Sequence, residues 1–125
     1  MDVDALEKEL TLTTAVVRFE ELRQRDSLAE APLSRAETLE LLALGEAIAR
    51  KSGYGRQLTV RSARTAGASW AEIGSALGTT RQSAWEAHQR WIETQSAQHG
   101  AVGQIGFDEG ETEAARALAG DLDAE

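Results

Sequence analysis

The 125-residue chain contains no cysteine, which removes disulfides, thiolate zinc sites and cysteine nucleophiles together. Its two histidines, His88 and His99, are too few and too far apart in the chain for a histidine metal cluster. A single proline, Pro32, leaves long segments free of the one residue that most strongly breaks helices. No apolar run approaches the roughly 20 residues that span a bilayer, and the acidic N-terminus lacks the basic start of a secretion signal. The resulting expectations are a cytoplasmic protein with no metal, no cofactor and no membrane partner. Catalytic groupings are missing as well. Glu20 with Glu21, and Glu37 with Glu40, read as solvated helix faces, and the C-terminal glycines lack the lysine and helix that complete a phosphate-binding loop. The chain reads as a non-enzyme with no evident small-molecule ligand.

What is present is helical patterning, without paired alternating strands bounded by hairpin turns. The expected fold is all-α with about five helices: an N-terminal helical pair, a three-helix unit and a flexible acidic tail. The first helix is expected from about Val3 to Asp26. Leu6, Leu10, Thr13 and Val17 form one stripe of it, and Leu12, Val16 and Phe19 a neighbouring one; the β-branched stretch around Thr11 to Thr14 is read through as helix. Ser27 to Pro32 is a connection. Ser34 and Glu37 form a capping box that starts a second helix, running to about Lys51 and burying Leu41, Leu42, Leu44 and Ile48. Gly45 inside it marks either a close crossing or a tolerated surface position. A third helix, about Arg56 to Ala66, carries Leu58, Val60 and Ala63 and ends at Gly67. The organisation is residues 1–53 for packing and dimerisation, 54–97 for the next helical unit, and 98–125 as a glycine-rich acidic tail expected to be disordered, although Glu111 to Leu122 could form a short amphipathic helix through Ala115, Leu118 and Leu122.

The most informative stretch is Gly67 to Trp91. Ser69-Trp70-Ala71-Glu72 is a capping box that starts a helix near Trp70. Gly78 supplies a left-handed stop, and Thr80 can cap another helix only two residues later. A glycine inside a short helix costs roughly 1 kcal/mol relative to alanine, so Gly74 implies close approach of a neighbour. Ile73 and Leu77, at i, i+4 spacing, should face the core between the two helices. This order of small residue, apolar residue, turn glycine and Thr-Arg-Gln helix start resembles the helix-turn-helix regulators common in high-GC Gram-positive bacteria, and more loosely the DNA-binding segments of sigma factors and resolvases. The resemblance covers about Leu58 to Trp91; Thr79 stands where the family more often has an aliphatic residue. It implies a sequence-specific DNA-binding protein, a transcriptional regulator associated with the nucleoid, whose second motif helix enters the major groove of double-stranded DNA.

Charge distribution agrees with that expectation although the net charge is −8. Arg50 to Arg90 holds seven bases against two acids, whereas residues 98–125 hold Arg116 against seven acids. The only positive segment is the one that carries the motif. On the helix from Arg81, Ala84, Ala87 and Trp91 should turn inward, leaving Gln82, Glu86 and Gln89 for base edges, since glutamine can bridge adenine N6 and N7 and glutamate can accept from cytosine N4. Arg81 suits a guanine edge or a phosphate. Thr80 and Ser83 suit phosphate oxygens beside the helix N-terminus, and Arg61 and Arg64 suit the DNA backbone. Trp85, His88 and Ile92 add a further apolar face that needs a cover, either the N-terminal helices or a second copy; a homodimer through that face and the N-terminal helices is expected. Two further readings remain: a helical adaptor or anti-factor that keeps the motif's shape but binds protein, and an acidic tail that folds back on the basic segment and competes with DNA.

Overall fold

Side chains cap the starts of most helices of this chain, at Asp2, Thr11, Ser34, Ser69, Thr80 and Asp108. The computed structural model describes residues 1–28, 32–100 and 105–125, and the described residues form seven α-helices and a final 3-10 turn with no strand. Residues 29–31 of the expected Ser27–Pro32 connection, and 101–104 of the expected glycine linker, lie outside the described residues. The chain divides into two units, Met1–Gly55 and Arg56–Glu125.

The first unit contains α1 (Val3–Glu9), α2 (Leu12–Ser27) and α3 (Arg35–Gly53). The single long helix expected over Val3–Asp26 is therefore two, and the N-terminal pair is a trio. The β-branched stretch is the reason: Leu10 is extended, and the Thr11 hydroxyl accepts from the Thr14 backbone N–H at 3.2 Å, which caps the start of a new helix. The break resets the register, so α2 buries Ala15 and Leu22 while Leu12, Val16 and Val17 are exposed. On α3 the expected capping box of Ser34 and Glu37 is formed. Leu44 and Ala47 are buried with Leu41 and Ile48 packed beside them, but Leu42 lies about 100° round the helix from Leu41 and is 68% exposed. Ion pairs tie the helices together: the Arg18 guanidinium donates to both Glu40 oxygens at 2.8 and 3.0 Å, and Arg25 to Glu37 at 2.6 Å. The Arg25 hydrogen bond, helped by the Ser34 N–H, pulls the Glu37 carboxyl down to about 2.

The second unit contains α4 (Arg56–Thr65), α5 (Trp70–Leu77), α6 (Arg81–Gln98) and α7 (Glu109–Ala119), followed by the 3-10 turn Leu122–Ala124. Its core is Val60, Trp70, Ile73, Ala84, Ile92, Ala115 and Ala119. Leu58, expected in this core, is 48% exposed, and Leu77 is 40% exposed. The larger difference is at the C-terminus. The segment expected to be a flexible tail forms α7, opened by a capping box between Asp108 and Glu111, and its Thr112, Ala115 and Ala119 are buried. Small side chains at i, i+3 and i+7 let α7 lie close against its neighbours, a weak signal by hydropathy but sufficient for packing. Gly106, expected as linker, is where the chain comes back against α6: a Cβ there would fall inside contact distance of the Gln95 oxygen and the His99 nitrogen, and Phe107 N–H donates to Gln95 O at 2.9 Å.

Gly74 and Gly45, both inside helices, differ in what surrounds them. A Cβ on Gly74 would lie 2.9 Å from backbone atoms of Thr79, Thr80 and Arg81, so the close neighbour inferred from its presence is the turn and the start of α6. A Cβ on Gly45 would lie 3.5 Å from Phe19, an ordinary contact. Gly74→Ala is expected to cost about 2–3 kcal/mol as overpacking against backbone that cannot yield, read by denaturant unfolding with tryptophan fluorescence. Gly45→Ala is expected to raise the far-UV thermal midpoint, since it gains about 0.5–1 kcal/mol of helix propensity with no clash.

Candidate nucleic-acid interface

The α5–turn–α6 segment is assembled from local hydrogen bonds. Ser69 Oγ accepts from Glu72 N–H at 3.1 Å while the Ser69 N–H donates to Glu72 Oε1 at 3.0 Å, and the donated N–H holds the Glu72 carboxyl below its usual range. Gly78 stops α5 at φ 69° and ψ 30°, a left-handed conformation that glycine adopts without steric cost. Thr79 N–H then donates to Gly74 O at 2.8 Å, and Thr80 Oγ1 caps α6 by accepting from Ser83 N–H at 3.0 Å. Thr80 also donates to Ser83 Oγ at 2.9 Å. Both hydroxyls are exposed at the helix start, together with Arg81 and Gln82.

The orientation of α6 differs from the sequence expectation. Ala84, His88 and Ile92 form the buried stripe, with Trp85, Ala87 and Trp91 half-buried beside it. The buried arc is thus turned toward the Trp85 side, because α7 covers that side. The solvent stripe opposite is Gln82, Glu86, Arg90 and Glu93, and Gln89 is half-buried. Gln82 Nε2 donates to Glu86 Oε1 at 3.0 Å, so the carboxylate has a partner along its own helix. Arg90 belongs to the stripe although the sequence expectation does not include it. Its signal is its i+4 relation to Glu86, legible only once the buried arc is known.

Trp85, His88 and Ile92, the face expected to meet a second copy, are instead covered within the second unit. His88 is 1% exposed, lies 5.1 Å from the Trp91 ring and 5.5 Å from the Trp70 ring, and donates from Nδ1 to Gln57 Oε1 at 2.8 Å. Ile92 is fully buried. The Trp85 indole donates to Gly120 O at 3.0 Å. This face therefore gives no reason for a dimer.

Arg61 and Arg64 on α4 have also found protein partners. Arg64 lies 4.9 Å over the Trp70 ring and donates to Leu118 O, Ala119 O and Ala68 O at 2.9–3.2 Å, and it pairs with the Glu125 carboxylate. With its side chain only 13% exposed, it is a structural clamp and not a free phosphate contact. Arg61 is half-buried at 5.8 Å from the Trp91 and Phe107 rings, which leaves it nearer the surface. Arg81 Nη1 donates to Leu122 O at 3.2 Å. Of the residues that the sequence suggests for DNA contact, Thr80, Arg81, Gln82, Ser83 and Glu86 are exposed, whereas Arg61, Arg64 and Gln89 are half-buried.

Among the described residues no group of three or more His, Cys, Asp or Glu is placed to hold a metal, and no helix is long and apolar enough to cross a membrane. Compared with protein-family models, with curated proteins and with solved structures, the chain matches none.

Burial of His88, reinforced by the positive charges of Arg61 and Arg64, lowers its imidazole from 6.5 to about 4. The unfolded chain therefore takes up a proton that the folded chain refuses, and the stability of the second unit should decline as pH falls from about 6.5 toward 4. The full loss would be on the order of 3 kcal/mol. All three tryptophans, Trp70, Trp85 and Trp91, lie in this unit, so its unfolding midpoint can be followed by their fluorescence. Between pH 6.5 and 4.5 the non-titrating His88→Phe variant should lose most of the decline that the parent shows.

Proposed function

We propose that the chain is a sequence-specific DNA-binding protein, a transcriptional regulator, that presents the exposed start of α6 and its Gln82, Glu86 and Arg90 stripe to the major groove. The observation that carries this reading is the packing of Gly74 directly on the turn and the first residue of α6. That contact fixes two capped helices as one rigid corner and leaves the polar start of the second helix exposed, the arrangement a helix-turn-helix needs. Gln82 and Glu86 supply base-reading groups, Arg90 supplies a cation on the same stripe, Arg81 supplies one at the first turn, and Thr80 and Ser83 sit at the helix N-terminus where phosphate is favoured. The reading requires no cofactor and no catalytic residue.

Twofold pairing would double the bases read. In this reading a homodimer forms through the first unit, where Leu12, Val16, Val17, Leu39 and Leu42 are exposed, and not through Trp85.

A protein-binding adaptor is the second reading, and one observation favours it. Residues Arg56–Glu125 contain six bases and ten acids, a net charge of −4, and Arg64 and Arg81 already donate to the C-terminal segment. The two readings separate in a DNA-binding titration against salt. The DNA reading expects log affinity to fall linearly with log salt, and expects Arg81→Ala with Gln82→Ala to remove sequence preference along with at least about 10-fold in affinity. Arg90→Ala should weaken binding to all sequences alike, with a shallower salt slope. A double variant that binds as well as the parent would give the adaptor reading the lead.

A further inference from the structure

Side chains from three helices converge on the carbonyls that end α7. Arg64 on α4 takes Leu118 O and Ala119 O, Trp70 on α5 takes Ala119 O at 2.8 Å, Trp85 on α6 takes Gly120 O, and Arg81, the first residue of α6, takes Leu122 O. Gly120 makes the bend possible with φ 69° and ψ −173°, a region essentially restricted to glycine. Beyond it the 3-10 turn is capped by Asp121, whose carboxylate accepts from Asp123 N–H at 3.0 Å, and Glu125 closes on Arg64. Leu122 packs against the core of the unit. Three carboxylates, Asp121, Asp123 and Glu125, are thereby carried on a segment pinned to Arg81, the first residue of α6.

We propose that residues 120–125 are an autoinhibitory latch: docked, they occupy the Arg81 guanidinium and set negative charge beside the start of α6, and released, they free Arg81 for DNA. The inference rests on the DNA-binding reading above. The latch is divided physically in two. Trp70, Trp85 and Arg64 hold the α7 end through contacts that are buried or half-buried, whereas the Arg81–Leu122 hydrogen bond is exposed. The outer part can open while α7 stays docked, since an exposed hydrogen bond has water to replace it. DNA phosphate competes with the Leu122 carbonyl for the Arg81 guanidinium, so DNA at sufficient concentration opens the latch by its own binding energy.

The test is anisotropy titration of a random-sequence duplex of about 30 base pairs at about 50 mM salt. It compares the parent chain, Asp121→Asn/Asp123→Asn/Glu125→Gln, a chain shortened by residues 121–125, and the charge-matched control Glu20→Gln/Glu109→Gln/Glu113→Gln. Tryptophan fluorescence confirms that each is folded. The latch predicts that the first variant and the shortened chain bind about 10-fold more tightly than the parent, that the control gains less than about 3-fold, and that the differences shrink as salt rises. Equal affinity in latch variants and control overturns the latch while leaving the DNA reading in place. Absence of binding by all four chains overturns the DNA reading, and the latch with it.

Discussion

A buried indole must have an acceptor for its N–H, and the second unit is organised around that requirement. Trp70 is fully buried, and its donor reaches Ala119 O, one of the carbonyls that the last turn of a helix leaves without an intrahelical partner. The requirement is reciprocal. The end of α7 could not be brought against the core without donors for its free carbonyls, and Arg64, Trp70 and Trp85 supply them from three different helices. An unmet donor or acceptor at this depth would cost about 1–3 kcal/mol, a large share of the stability of so small a unit. None of the described buried side-chain nitrogen or oxygen atoms lacks a partner.

The docking of α7 decides how α6 is rotated. Without it, Trp85 and Ile92 would be an exposed apolar face and the inward side would centre on Ala84, Ala87 and Trp91. With Ala115 and Ala119 packed there, the buried stripe becomes Ala84, His88 and Ile92, and Arg90 joins Gln82 and Glu86 on the solvent side. The solvent side of α6 thus gains Arg90, while Arg64 on α4 is drawn into the unit. The same contact brings the acidic C-terminal segment against Arg64 and Arg81, which donate to its carbonyls.

Legibility in the sequence follows the range of the interactions. The capping boxes at Ser34 and Ser69, the stop at Gly78 and the cap at Thr80 are readable because each is closed by residues within four positions of one another. The break between α1 and α2 is equally local, yet the sequence reads as one helix there. β-branched residues lower helix propensity only weakly, and good helix formers on both sides outweigh them until the Thr11 cap is counted. The burial of Ala115 and Ala119 is not legible: alanines in an acidic, glycine-flanked segment carry little hydropathy, and their value lies in the close packing they permit. Gly106 is ambiguous for the same reason, since a linker glycine and a close-contact glycine are the same residue until the neighbouring backbone is in place.

By itself the sequence determined an all-α chain, most of the boundaries of its capped helices, and a tight corner between Trp70 and Arg81 that resembles a helix-turn-helix. It did so through short-range hydrogen bonds and backbone preferences that do not depend on distant partners. Only the tertiary structure decided which side of α6 faces solvent, that Arg64 is a clamp, that His88 is a neutral core residue, and that the acidic C-terminus is a docked helix. Each of those depends on a contact between residues tens of positions apart, where one buried indole N–H and a few alanines outweigh the charge and composition of the segment that carries them.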